Sequence, residues 1–237
     1  MPLVAPSSKQ TLKAGFFGRE KSGKTHSSVS LAVAAIKALG LESRVVLVAT
    51  ESWDLDWAPR LAKAGIECAT LVDDSGDRVC DPTAVLAGLK EARDGGYQLA
   101  ILDSMTDLLE APRHAFIEAN HRKEGFGGIK LQEYPTIDRP FKSLCKWLVE
   151  TRLHWIGTAR EKDDKVTQDG VDLSVTKVPK ASDWGYATRM IANCQGWRAK
   201  GSPDPVHRVA VKDAGGLSAV LENPSTADWG RFLERLK

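Results

Sequence analysis

Gly18, Arg19, Glu20, Lys21, Ser22, Gly23, Lys24 and Thr25 follow the short apolar run LKAGFF and lead into a stretch with helical periodicity. Two glycines five apart, then a lysine and a hydroxyl residue, are what a backbone needs to close round a phosphate group. The glycines let successive N–H groups converge on the β-phosphate, and the helix N-terminus adds its positive end. Lys24 reaches the β- and γ-oxygens, and the Thr25 hydroxyl can hold Mg²⁺. The segment reads as a phosphate-binding loop, or P-loop, with ATP and Mg²⁺ as the expected ligands. Its eight residues and the adjoining His26 form the expected nucleotide contact. Such a loop functions only between a strand and a helix, so it commits the chain to an α/β architecture.

The rest of the chain alternates accordingly. Strands are expected at Thr11 to Phe17, Arg44 to Thr50, Tyr97 to Asp103 and Leu153 to Thr158. Helices are expected at His26 to Leu39, ended by Gly40, and at Trp57 to Gly65, Pro82 to Arg93, Met105 to Asn120 and Arg139 to Thr151. RVVLVAT and YQLAILD are nearly continuous apolar runs, as strands of a mainly parallel sheet covered on both faces should be. Three short strands, Met190 to Arg198, Val206 to Lys212 and Leu217 to Leu221, suggest a C-terminal antiparallel meander. His121 to Asp138 and the charged stretch Glu161 to Tyr186 read as long loops, which in a compact domain usually carry function.

Magnesium at a P-loop needs a second oxygen ligand, usually an Asp closing another apolar strand, and Asp103 at the end of LAILD fits. The next residue is Ser104, so no adjacent Glu can activate water and the base must come from elsewhere. Glu51 directly follows the strand RVVLVAT. On the expectation that this strand lies beside the P-loop strand, its carboxyl end faces the nucleotide crevice. A carboxylate there can orient a water in line with the γ-phosphate. A solvated Glu opening a loop is the plainer reading of the same residue, and Asp54 and Asp56 are nearby competitors.

Gly18 to Thr25, TES at 50 to 52, ILDSMTDL at 101 to 108 and the strand LHWIGT together resemble the RecA-like recombinase ATPase core. The resemblance spans about Leu12 to Leu221 and is strongest to the compact RecA-like ATPases of phages, which are associated with single-strand annealing and recombination. It implies a RecA-like P-loop core over residues 12–223, a tail before it and a C-terminal amphipathic tail at 224–237. It also implies that Glu51 is the catalytic base, Asp103 the magnesium ligand and Thr158 the polar sensor on the fourth strand, where recombinases of the family carry Gln. Lys212, or less aptly Arg208, matches the late-strand cation that reaches a neighbouring subunit's γ-phosphate.

In the resembled family, loops after the third and fourth strands contact DNA. Here they correspond to the region of Arg122, Lys123, Phe126 and Lys130, and to that of Lys177, Lys180 and Trp184. Cations that track phosphates, interleaved with rings that stack on bases, suit sequence-tolerant binding of single strands. Interspersed acids, among them Glu124, Glu133, Asp163 and Asp172, fit an ordinary solvated loop equally well. The implied partners are single-stranded DNA, further copies of the chain in a ring or filament, and a single-strand-binding protein.

Composition narrows the alternatives. Thirty-three Lys plus Arg against 31 acids give a net charge of +2 over 237 residues, so any nucleic-acid surface must be local. Four scattered cysteines without zinc-finger spacing read as reduced and mostly buried. No apolar run is long enough to span a bilayer and the N-terminus lacks a signal peptide's core, so a cytoplasmic protein is expected. Of the seven tryptophans, Trp155 and Trp147 belong to the expected core and Trp184 is the candidate for base stacking. The competing reading is a nucleotide-gated protein-binding switch with slow hydrolysis. A small-molecule P-loop kinase fits less well, because no Arg-rich lid is visible.

Overall fold

A computed structural model describes residues 11–50, 57–122, 128–168, 171–179, 188–197, 206–213 and 217–234. The strands are β1 (Lys13–Gly18), β2 (Arg44–Ala49), β3 (Glu67–Thr70), β4 (Leu99–Asp103), β5 (His154–Gln168), β6 (Val171–Pro179), β7 (Met190–Trp197), β8 (Val206–Asp213) and β9 (Ser218–Glu222). The helices are α1 (Lys24–Leu39), α2 (Trp57–Lys63), α3 (Pro82–Asp94), α4 (Met105–Ala119), α5 (Tyr134–Ile137), α6 (Arg139–Glu150) and a final turn, α7 (Gly230–Leu233). The sheet runs β3-β2-β4-β5-β1-β7-β8-β9, with β6 paired to the outer half of β5. All pairings from β3 across to β7 are parallel, and β8 and β9 continue antiparallel.

The apolar runs are continuous because alternate residues serve opposite faces of this sheet. Phe16, Val45, Leu47, Ile101 and Ile156 pack with Val29, Ala32 and Ile36 of α1. Phe17, Val46, Val48, Leu102 and Trp155 pack on the other face with α3, α4 and α6, the last contributing Phe141, Leu144 and Leu148 at helical spacing. Local signals fix the helix ends. Asp81 caps α3 by accepting from the Ala84 N–H at 2.9 Å, and Gly40 ends α1 in the left-handed region at φ 62°.

The C-terminal tail belongs to the first core. Trp229 is fully buried, its ring edge-on to Phe16 at 5.7 Å, and its Nε1–H donates to Ser30 Oγ at 3.1 Å. Phe232 and Leu233 are buried beside it. Trp155 is buried as expected, whereas Trp147 is only partly so and lies 5.8 Å from the Arg93 guanidinium. Among the described residues, no helix is long and apolar enough to cross a membrane.

Three expectations are corrected. First, β2 does not lie beside the P-loop strand, since β4 and β5 stand between them. Uniformly apolar strands do not encode their neighbours. All four are parallel, so their carboxyl ends still open on one crevice. Second, Glu161 to Tyr186 is not a long loop through its first part. There β5 continues to Gln168 and returns antiparallel as β6, with Glu161 opposite Pro179 and Gln168 opposite Val171. The Asp-Gly between Gln168 and Val171 is a two-residue hairpin signal, and Val175, Thr176 and Val178 are strand formers. The charges of EKDDK masked that signal. Third, His121 to Asp138 is not loop throughout, since its last part forms α5; β3, a four-residue edge strand without a buried residue, is too short and too polar for periodicity to mark it.

Candidate phosphate site

β1 ends at Gly18, where the backbone of β7 comes so close that an added Cβ would lie 2.1 Å from the Cys194 carbonyl oxygen. No larger residue fits without moving the loop. The chain then turns through Lys21 and Gly23, at φ 58° and 86°, into α1. Gly23 is the N-cap of α1, without a side-chain cap, so the first amides of the helix are available to an anion.

Lys24 is buried, and among the described residues its Nζ donates only to main-chain carbonyls, Arg19 O at 2.7 Å and Gly18 O at 3.2 Å. A buried ammonium held by neutral carbonyls beside a helix N-terminus suits an anion. Arg19 and Glu20 are exposed on the rim, Ser22 is buried under it, and His26 is half-buried on the first turn of α1.

Three side chains from three elements converge next to this loop. The Thr25 hydroxyl donates to Asp103 Oδ2 at 2.7 Å, and the Thr158 hydroxyl donates to Asp103 Oδ1. Asp103 and Thr158 are both buried. Thr25 and Asp103 supply two hard oxygens side by side at the mouth of the loop. That donor set fits magnesium, which keeps most of its waters and takes phosphate oxygens in preference to a full protein cage. The P-loop residues, Thr25, Asp103 and Thr158 thus lie together.

The remaining candidates fall differently. Glu51, Asp54, Asp56, Lys123, Phe126, Lys180 and Trp184 lie outside the described residues. Thr50 is the last described residue before Glu51, and its N–H donates to Asp103 O at 2.7 Å. Lys212 is exposed on β8 opposite Ile191, which pairs with Gly15. It therefore stands three residues, about 10 Å, from the level of Gly18 and two strands aside, out of reach of its own P-loop. Arg208 is paired with Glu222 at 2.9 Å.

Arg122 does not stand free for phosphate. Its guanidinium makes a fork to Glu133 at 2.6 and 3.1 Å and stacks 5.1 Å from the Phe116 ring, closing its own loop. Lys130 is exposed, and Lys177 lies on β6 opposite Asp163.

Sequence reasoning missed a polar network around the carboxyl ends of β2, β4 and β5. Asp107, in the first turn of α4, accepts from Ser104 Oγ at 2.7 Å and Arg160 Nη2 at 3.0 Å. The spacing Ser104-x-x-Asp107 is a capping signal that was there to be read. Also missed is the ion pair that joins Arg19 of the P-loop to Glu161 at the base of the hairpin, at 3.0 Å.

Cys194, beside Gly18, is buried, and that burial pushes its thiol up to about 12. Burial likewise raises Cys68 and Cys80 to about 11. None of the four cysteines is in a disulfide. Cys68, Cys80 and Cys194 are therefore not poised as nucleophiles at neutral pH.

No family model matches the sequence, and no curated protein matches it. Among solved structures, the chain is similar to a KaiC-like protein from the hyperthermophilic archaeon Pyrococcus horikoshii OT3. The TM-score is 0.52 at 11% identity, over 90% of this chain and 84% of that one. At that identity the likeness speaks for the fold alone: the chain has a RecA-like α/β core.

Proposed function

We propose that the chain is a Mg²⁺-dependent RecA-like ATPase that acts on single-stranded DNA in recombination or strand annealing. In this reading it works as a homo-oligomer in the cytoplasm, as the compact phage-encoded members of that family do. The observation that carries the proposal is the meeting of Lys24, Thr25 and Asp103 at the mouth of the P-loop. Lys24 and the amides of Gly18 to Thr25 bind the phosphates, displacing Lys24 from the loop's own carbonyls. Thr25 and Asp103 would hold the metal, which would offset charge on the phosphate oxygens. Glu51 orients the attacking water, a role supported by the bond from Thr50 to Asp103 O. Because Lys212 is out of reach in its own chain, it serves as the cation for a neighbouring copy's site.

Support for the DNA arm is the hairpin rooted beside the P-loop through Arg19 and Glu161, with the cations of its outer strands. A second reading, a nucleotide-gated protein-binding switch with slow hydrolysis, is favoured by the engagement of Arg122 with Glu133. That pair engages Arg122, while Lys130 of the same loop is exposed. Hydrolysis measured with and without single-stranded DNA at low and moderate salt separates the two. Stimulation that weakens with salt supports the first reading. ATP binding with no response to DNA supports the second.

A further inference from the structure

The geometry points to Asp107 as a positioning residue that fixes the ends of three strands around the nucleotide; this rests on the ATPase reading of the site. Its carboxylate is the common partner of β2, β4 and β5. Oδ2 receives Ser104 Oγ at 2.7 Å and lies 3.2 Å from Thr50 Oγ1, and Oδ1 receives Arg160 Nη2 at 3.0 Å. Thr50 Oγ1 in turn accepts the Ser104 N–H at 2.7 Å, so the ends of β2 and β4 are tied twice. The Arg160 N–H donates to Thr106 Oγ1 at 2.9 Å, and Glu110 supports the guanidinium at 3.7 Å.

Each tied residue adjoins a working one. Thr50 precedes Glu51, Ser104 follows the metal ligand Asp103, and Arg160 lies two residues beyond Thr158 on the same strand face. Arg160 is also opposite Gly18, and it precedes Glu161, the partner of Arg19. A first-turn acid placed only to complement the helix dipole would need none of these partners. Here one carboxylate sets the spacing between the metal ligand, Thr50 at the end of β2 and the sensor strand, and it holds the point where β5 leaves the sheet for the hairpin. Displacements of this kind act on reacting geometry more than on binding.

The test uses the full chain with Asp107→Asn, which keeps an acceptor but loses the charged partner of Arg160, and Arg160→Gln as the second variant. With turnover of the unmodified protein established against Lys24→Ala, each variant should lower kcat about 10²-fold with KM changed less than about threefold. The double variant should be no worse than either single one. Hydrogen exchange with a non-hydrolysable Mg·ATP analogue gives a readout independent of turnover. The unmodified chain should gain protection in the P-loop and at residues 158–162, and Asp107→Asn should keep the first and lose the second. An unchanged kcat with protection intact at 158–162 overturns the role of Asp107, as does a fall in kcat that tracks loss of nucleotide binding. If the unmodified chain shows no Lys24-dependent turnover, the ATPase reading fails, and the exchange result alone then decides whether Asp107 links the strand ends.

Discussion

Thr158→Val removes one hydroxyl from the centre of the site and leaves the side-chain volume nearly unchanged. Thr158 is fully buried and donates to Asp103 Oδ1, while Asp103, itself 4% exposed, also receives Thr25. A hydrogen bond to an ionised acceptor contributes about 1.5–3 kcal/mol. At this depth water does not replace the lost donor, and an isosteric methyl leaves no cavity to add to the cost. A loss of about 2 kcal/mol follows, close to a thirtyfold change in the folded-to-unfolded ratio. For a chain of this size it lowers the melting temperature by about 4–8 °C. Urea unfolding of Thr158→Val, Asp103→Asn and the double variant measures it, with unchanged m-values as the check that the end states are comparable. The cycle should return a coupling of about 1–2 kcal/mol between the two positions. A Thr158→Val protein as stable as the unmodified one, or a coupling near zero, would mean that this hydroxyl does not hold Asp103.

Other expectations follow from burial and close approach. Trp229→Ala should cost about 3–5 kcal/mol, because the ring is fully enclosed against Phe16; a loss under about 1 kcal/mol in urea would make the tail a loose appendage. Gly18→Ala forces a Cβ toward the Cys194 carbonyl, so the loop must shift; calorimetry should find ATP binding at least about tenfold weaker, and equal affinity would refute the close approach. The Cys194 thiol is raised from 9.0 to about 12 by burial, so above pH 9 the unfolded chain holds fewer protons than the folded one. The stability due to this group is complete below pH 9 and lost as pH climbs from 9 toward 12, at up to about 1.4 kcal/mol per pH unit. Cys194→Ala should flatten that slope, and parallel pH curves for the two proteins would contradict it.

The sequence made the phosphate site legible because its chemistry is local. Eight consecutive residues carry the loop, and Asp103 is marked by the apolar strand that it closes. Thr158 came only through a family resemblance, since a Thr in a buried strand carries no signal of its own. The contacts of Asp107 were hidden for another reason: its partners Thr50 and Arg160 are more than fifty positions away, joined by a strand order that apolar runs do not specify. The hairpin was misread because its charged residues resemble a solvated loop until the Asp-Gly turn is weighed against them. The resemblance places Arg122 on a DNA-contacting loop, and the match of its guanidinium to Glu133, eleven positions on, is visible only in the geometry.

In the proposed function, Lys24, Thr25 and Asp103 form a site that hydrolyses ATP with magnesium. The most direct test is phosphate release from ATP by the purified chain, with Mg²⁺ present or removed by chelator, beside Lys24→Ala and Asp103→Asn. Turnover should need Mg²⁺ and be lost in both variants. Turnover that persists in Lys24→Ala, or no turnover by the unmodified chain under any of these conditions, would contradict it.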